Sequence, residues 1–197
     1  MGDEKKKRPT VYSAAGAILQ ALENTLDTPG GRANFAKLRR AVGRPLSETV
    51  DLWPLIYPLM PDEFLSENRT SAEERAILTA LTLYALHQQG KGNSVLNRER
   101  HSNIGDALKA LRGEDSAAMD RRFNALITSD NFEELCHHLR QMIGLLRAKS
   151  DATVNYARLA QDLFYFQVGR RETIRLNWAR AYYHQNKKET KGDEDHD

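Results

Sequence analysis

The chain has 197 residues, 40% of them hydrophobic and 28% charged, which suffices for one sizeable core or two small ones sharing an interface. Its longest apolar run falls far short of the roughly 20 residues that span a bilayer, and MGDEKKKRPT at the start has no apolar stretch behind it, so neither a membrane helix nor a secretory signal is expected. The single cysteine, Cys136, excludes an internal disulfide, no Cys/His spacing suits zinc, and the expected compartment is the reducing cytoplasm.

The formal charge of +2 hides a strong segregation. Residues 31–49 hold five Lys/Arg against one acid, and residues 137–187 hold nine against three. The compensating acids lie elsewhere: six against two basic groups in residues 50–75, and five against two in the last ten residues. Charge arranged in this way builds a local field on a nearly neutral molecule.

Period-2 alternation is almost absent and the period of 3.6 recurs throughout, which predicts an all-α fold of about eight helices in two packed bundles, with no sheet. A first helix is predicted over 11–27, stopped by Pro29-Gly30-Gly31, and a second over 32–43, ended by Arg44-Pro45. The prolines of DLWPLIYPLMP break the next apolar run into a short helix or turn. Ser71 with Glu74 has the capping-box pattern and starts a helix apolar on most sides, the expected centre of an N-terminal bundle. GKGNSVLNRERHSN, 90–103, reads as a basic loop and as the boundary between an N-terminal bundle (10–90) and a C-terminal one (91–186).

Short helices are predicted over 104–112 and 116–128, and Asp130 with Glu133 is read as the cap of a long helix. That helix carries the stripe Phe132, Leu135, Cys136, Leu139, Met142, Ile143, Leu146, with His138, Arg140, Gln141 and Lys149 on its opposite face. Helices over 153–167 and 171–186 complete the fold, with Leu159, Leu163, Phe166, Ile174, Trp178 and Tyr182 inward. Residues 187–197 read as a disordered acidic tail.

No catalytic constellation emerges, and neither an enzyme nor a cofactor is expected. Cys136, His137 and His138 are neighbours on a helix, about 100° apart, and cannot converge on one metal. His196-Asp197 resembles a phosphohydrolase dipeptide but has no partner histidines, and no phosphate loop or nucleophile motif is present. Lys5 to Pro9 resembles a nuclear-import signal and reads as a solvated basic arm.

On a helical wheel, Phe35, Leu38 and Val42 of the second helix fall together, and Lys37, Arg40 and Arg44 fall opposite, with Arg32 adjoining and Arg39 on the flank. Such a face is either a phosphate grip, through bidentate guanidinium groups, or a solvated or inter-subunit salt-bridge face. Further basic groups at Lys91, Arg98, Arg100, His101, Lys109, Arg112, Arg121 and Arg122 are spread over several elements, the pattern of a surface that follows a backbone without reading bases. Trp53, Phe35, Trp178 and Phe132 are read as packing residues, leaving no stacking platform.

The ordered set LRRAVGRPLSE, WPLIYPL, IGDALKAL, RRFNALITSDNFEELCHHLRQMIGLLRAK, NYARLAQDLFYF and NWARAYY, over roughly 12–183, resembles the CasB-type small subunit of the type I-E Cascade complex of CRISPR immunity. One departure is Asn155, where the family pattern has an acidic residue, which bears on a local cap or salt bridge. The resemblance implies a wholly helical, non-catalytic subunit. It also implies two copies head to tail, partnered by crRNA-guided backbone and large subunits, that support the guide RNA and hold target and displaced DNA strands in the R-loop. Carried onto this chain, it makes Leu38-Arg39-Arg40 and the basic residues of 98–122 the phosphate-contact candidates. With the wheel, the candidate set is Lys37, Arg39, Arg40, Arg44, Lys91, Arg98, Arg100, Lys109, Arg112, Arg121 and Arg122. Two rival readings are a scaffold whose basic faces meet acidic protein surfaces, and a helix-turn-helix regulator, which needs a base-reading recognition helix.

Overall fold

The computed structural model describes residues 8–113 and 116–184; the tail at 187–197, the His196-Asp197 pair and all of the basic arm but Arg8 and Pro9 lie outside them. Among the described residues there are nine α-helices and no strand: α1 (Val11–Glu23), α2 (Pro29–Arg40), α3 (Trp53–Ile56), α4 (Ala72–Gln88), α5 (Ile104–Lys109), α6 (Ser116–Ile127), α7 (Phe132–Lys149), α8 (Tyr156–Gln167) and α9 (Arg171–Tyr183). The fold is all-α, as the 3.6-residue period predicts. The helix beyond the expected eight is α3, one turn in the proline-broken stretch, flanked by short 3-10 turns.

Local chemistry sets the helix ends. Ser71 accepts the Glu74 N–H at 3.0 Å while the Glu74 carboxylate accepts the Ser71 N–H at 2.7 Å, the reciprocal cap expected for α4. α2 begins earlier than the wheel assumes, with Thr28 accepting the Gly31 N–H and Pro29 at the first helical position, where its missing N–H costs nothing. The cap of α7 is Asn131, which accepts the Glu134 N–H at 2.8 Å, not Asp130, whose own N–H donates to the Glu134 carboxylate. Asn155 caps α8 by accepting the Arg158 N–H at 2.9 Å, and its amide donates to the Glu99 carbonyl at 2.8 Å. A carboxylate could make the first bond but not the second, which accounts for asparagine at this position.

α4 lies at the centre, with Ala76, Ile77, Leu81, Tyr84 and Ala85 fully buried, and packs on α1, α2, α7 and α8. The 90–103 loop follows α4, and its Val95–Asn97 stretch pairs with Val154 through two backbone hydrogen bonds of 2.9 Å, an isolated bridge and not a sheet. α8, from beyond that loop, packs on α1 and α4 as well as on α9. The seam between α8 and α9 holds a buried carboxylate, Asp162, which accepts from the Trp178 indole N–H at 2.8 Å and from Arg158 Nε at 2.9 Å. Burial pushes the Asp162 carboxyl above its ordinary range despite these donors. α6 is fixed to α9 by the stacked rings of Phe123 and Tyr182, 3.8 Å apart, and by the Tyr182 hydroxyl donating to Asp120.

Candidate nucleic-acid interface

The basic segment that the wheel treats as one helix is divided by the structure. Phe35 and Leu38 are buried as expected, joined by Ala41, while α2 stops at Arg40. Gly43, at φ 80, turns the chain, so Arg44 stands beyond the helix and not on the face of Lys37 and Arg40. Lys37, Arg39 and Arg40 occupy the last turn, where their charges also stabilise the carboxyl end of the helix dipole. The face is not free of acids: Arg40 lies 4.0 Å from Asp51, and Arg44 lies 3.7 Å from Glu48 and donates to its carbonyl. Both arginines remain more than half exposed, and pairs of this kind hold little energy in water. An incoming phosphate can therefore compete for either guanidinium. Lys37 and Arg39 form no ion pair among the described residues.

From this turn a groove of about 710 Å³ runs between α2's exit, α4 and α7. Its floor includes Ala41, Leu46, Leu78, Leu83, Phe132 and Cys136, and its rim carries Arg44, Arg69, Arg75, His137 and Arg140. Arg75 is engaged, bonded to Glu133 at 2.8 Å and lying over the Phe132 ring, whereas Arg69 and Arg140 are exposed and form no ion pair among the described residues. The thiol of Cys136 is half-buried and pushed up to about 12 by burial, which leaves it a neutral packing group.

A second groove of about 340 Å³ lies on the other flank of α7, against α6, lined by Ala118, Arg121, Arg122, Ala125, His138, Gln141 and Met142. Arg121 and Arg122 are exposed with no ion pair among the described residues, and Glu134 lies 3.9 Å from His138 of the lining. The two grooves share α7 as a common wall. His137 and Arg140 face one, His138 and Gln141 the other, and the two imidazoles are 5.5 Å apart at the crest. The result is a cationic track from Arg44 across α7 to Arg121 and Arg122.

Other predicted residues have internal partners. Lys91 donates to the Ser150 carbonyl and the Asp151 carboxylate, both at 2.8 Å, tying the end of α4 to the end of α7. Arg98 pairs with Glu23 of α1, and Lys109 donates to the carbonyl of His184. Arg112 makes a two-pronged contact with Asp120 at 2.8 and 3.0 Å while its guanidinium lies over the Tyr182 and Tyr183 rings. Arg100, in the loop, is exposed and forms no ion pair among the described residues. Arg69, Arg75, His137, His138 and Arg140 are additions to the predicted set. The outward face of α7 already presents His138 and Arg140 in the sequence, but nothing local indicates that Arg69 folds against it.

Comparison with known proteins agrees with this architecture. CasB from Thermobifida fusca is 26% identical with a TM-score of 0.72, covering 88% of this chain and 98% of that one. CasB from Thermus thermophilus is 24% identical with a TM-score of 0.63, covering 86% and 97%. A chain of a CRISPR RNA-guided surveillance complex is 20% identical with a TM-score of 0.67, covering 87% and 92%. The latter two establish a shared fold. No curated protein sequence matches the chain. The family described as CRISPR-associated protein Cse2 matches over residues 34–183, most of the sequence, and the chain belongs to that family.

Proposed function

We propose that this protein is the non-catalytic small subunit of a guide-RNA-directed Cascade complex. In this role it lays the track across α7 against the phosphate backbones of target and displaced DNA strands and stabilises the R-loop. The observation that carries the reading is the pair of cation-rimmed grooves sharing α7. A track of this breadth suits phosphates, which repeat regularly whatever the sequence, and the recognition of sequence is left to pairing with the guide. The exposed guanidinium groups are the contacts: Arg40 and Arg44 at α2's exit, Arg140 on α7, and Arg121 and Arg122 on α6, with the half-buried Arg39 beside Arg40. Arg100 extends the set towards the 90–103 loop, while Lys37 adds a charge from α2's last turn. Lys91, Arg98, Lys109 and Arg112 reach phosphates only by giving up the partners named above. Family membership and the fold shared with a surveillance-complex chain support the partners: guide RNA, backbone and large subunits, and a second copy of this chain.

The test is reconstitution from separately purified subunits and guide RNA, with strand opening read by permanganate footprinting of the displaced strand. Omission of this chain, or its replacement by an R44Q/R121Q/R122Q/R140Q variant, should shorten the lifetime of the open state. An unchanged footprint and lifetime in both cases would refute the role.

A second reading, a protein-contact scaffold, is favoured by Val50, Trp53, Leu59 and Leu65, exposed apolar side chains within the acid-rich 50–75 stretch. An apolar patch edged by acids suits a basic protein surface, such as the rim of the larger groove on a second copy. Mass measured against salt without nucleic acid separates the readings: self-association that dissolves with salt and with Trp53→Ala supports the scaffold, and a monomer throughout excludes it.

A further inference from the structure

The two grooves that flank α7 both carry cations but differ in what lies between them. The smaller, about 340 Å³, has Ala118, Ala125 and Met142 between its arginines. The larger, about 710 Å³, has an apolar floor to which Leu46, Leu78 and Leu83 contribute, and lies within the roughly 300–1,000 Å³ of sites that enclose an organic ligand. A phosphate needs neither such volume nor an apolar floor. The larger groove also contains Arg75, which a phosphate contact does not explain. Its guanidinium donates to Glu133 at 2.8 Å, so its charge is already met, and it lies 4.8 Å from the centre of the Phe132 ring. Yet the side chain stays 42% exposed. Held by the ring and the carboxylate together, Arg75 offers the groove a planar face in a fixed position. Leu78 and Thr79 lie one turn further along α4 and line the same groove, so the plane and the apolar floor are continuous.

We propose that the larger groove seats an unstacked base of the displaced DNA strand, which stacks on the Arg75 guanidinium while Arg44, Arg69 and Arg140 at the rim hold its flanking phosphates. The proposal rests on the phosphate-binding reading of the track and deepens it. Bases stack on guanidinium planes as they do on aromatic rings, and every base presents such a face, so the seat needs no sequence preference. Arg69 and Arg140 form no ion pair among the described residues, and the pair of Arg44 with Glu48, at 3.7 Å, is exposed, so all three are available to phosphates. In an R-loop the target strand is paired with the guide, and over that stretch only the displaced strand has bases free to turn outward. A duplex keeps its bases stacked inside and cannot use the seat unless a pair opens. The larger groove is thereby selective for single strands. The smaller one, with no guanidinium fixed on an aromatic ring among its lining residues, is not.

The experiment compares two DNA single strands with the same number of phosphates, one of mixed sequence and one abasic throughout, in binding to the full chain and to its Arg75→Lys and Phe132→Leu variants of equal helicity. Arg75→Lys keeps the charge that meets Glu133 but removes the plane; Phe132→Leu keeps every charge but removes the ring behind the plane. The wild type should bind the abasic strand about three- to tenfold more weakly than the mixed one, at an unchanged log–log salt slope. In both variants that preference should shrink to less than about twofold, while duplex affinity matches the wild type. Equal wild-type affinity for the two strands, with a steep salt slope, would overturn the seat and leave the phosphate reading standing. Absence of salt-dependent binding to either strand would overturn the phosphate reading and the seat with it. A preference that survives in both variants would place the base elsewhere and overturn the proposal. A second arm uses the reconstituted complex, with a fluorescent adenine analogue placed along each DNA strand in turn. A fluorescence change that Arg75→Lys removes should appear on the displaced strand; its appearance on the target strand alone, or on neither, would overturn the assignment.

Discussion

Acid should loosen the seam between α4 and α8 through one buried imidazole. His87 is fully buried, shares a hydrogen bond of 3.0 Å with the Tyr156 hydroxyl through Nδ1, and has no partner at Nε2 among the described residues. Burial, with the positive charges of Lys91 and Arg147 adding to it, lowers its pKa from 6.5 to about 4. A histidine depressed in the folded state binds its proton more readily when unfolded, so stability falls as the pH drops from about 6.5 towards 4. A shift of this size costs about 3 kcal/mol by pH 4, a large share of the roughly 5–15 kcal/mol that keeps a domain folded. Asp162, a buried carboxyl on α8, works in the opposite sense. Its raised pKa lets the folded protein take up a proton more readily, so it gains stability as the pH falls towards its unfolded value and cannot cause the loss. Urea unfolding of the wild type and of His87→Gln across pH 4 to 7 measures the effect. The wild type should lose about 3 kcal/mol more than the variant over this range. A wild-type–variant difference that stays constant with pH would refute the reasoning.

Gly105→Ala should destabilise the protein by about 2–3 kcal/mol in urea unfolding, because a Cβ there would stand 2.2 Å from the Trp178 carbonyl oxygen and force α5 away from α9. Asn155→Asp keeps the α8 cap but sets a buried carboxylate against the Glu99 carbonyl. It should cost about 1–3 kcal/mol at pH 7 and much less near pH 3, where protonation restores a donor; an equal deficit at both would refute the account. Asp120→Asn weakens the two-pronged contact with Arg112 and the bond from Tyr182. It should lower stability by about 1–2 kcal/mol in thermal or urea unfolding, with no loss if that contact is merely a surface pair.

What could be read from the sequence follows the range of the interactions involved. The stripe of α7 and the capping box of α4 are local patterns, and Leu135, Leu139, Met142, Ile143 and Leu146 are buried as their spacing predicts. Pro29 misleads because the same residue that breaks a helix interior is favoured at a first turn, and Thr28 supplies the cap that decides between them. Arg44 leaves the helix because Gly43 turns at positive φ, which a wheel extended through residue 44 ignores. The fate of the scattered cations was out of reach for a different reason. Arg112 meets an acid eight residues away, but Lys109 and Arg98 meet partners 75 residues away, distances at which composition says nothing about pairing. The convergence of Arg44, Arg69 and Arg140 on one groove likewise exists only once α2, α4 and α7 have packed.

The central claim is that the track across α7 holds phosphates, and the salt dependence of binding tests it most directly. Affinity for single-stranded and duplex DNA of unrelated sequences is measured at a series of salt concentrations, for the wild type and for R44Q/R121Q/R122Q/R140Q of equal helicity. The log–log slope should flatten by about 0.7 per lost contact on single strands and about 0.9 on duplex, equally for every sequence. A slope and affinity that match the wild type would contradict the account.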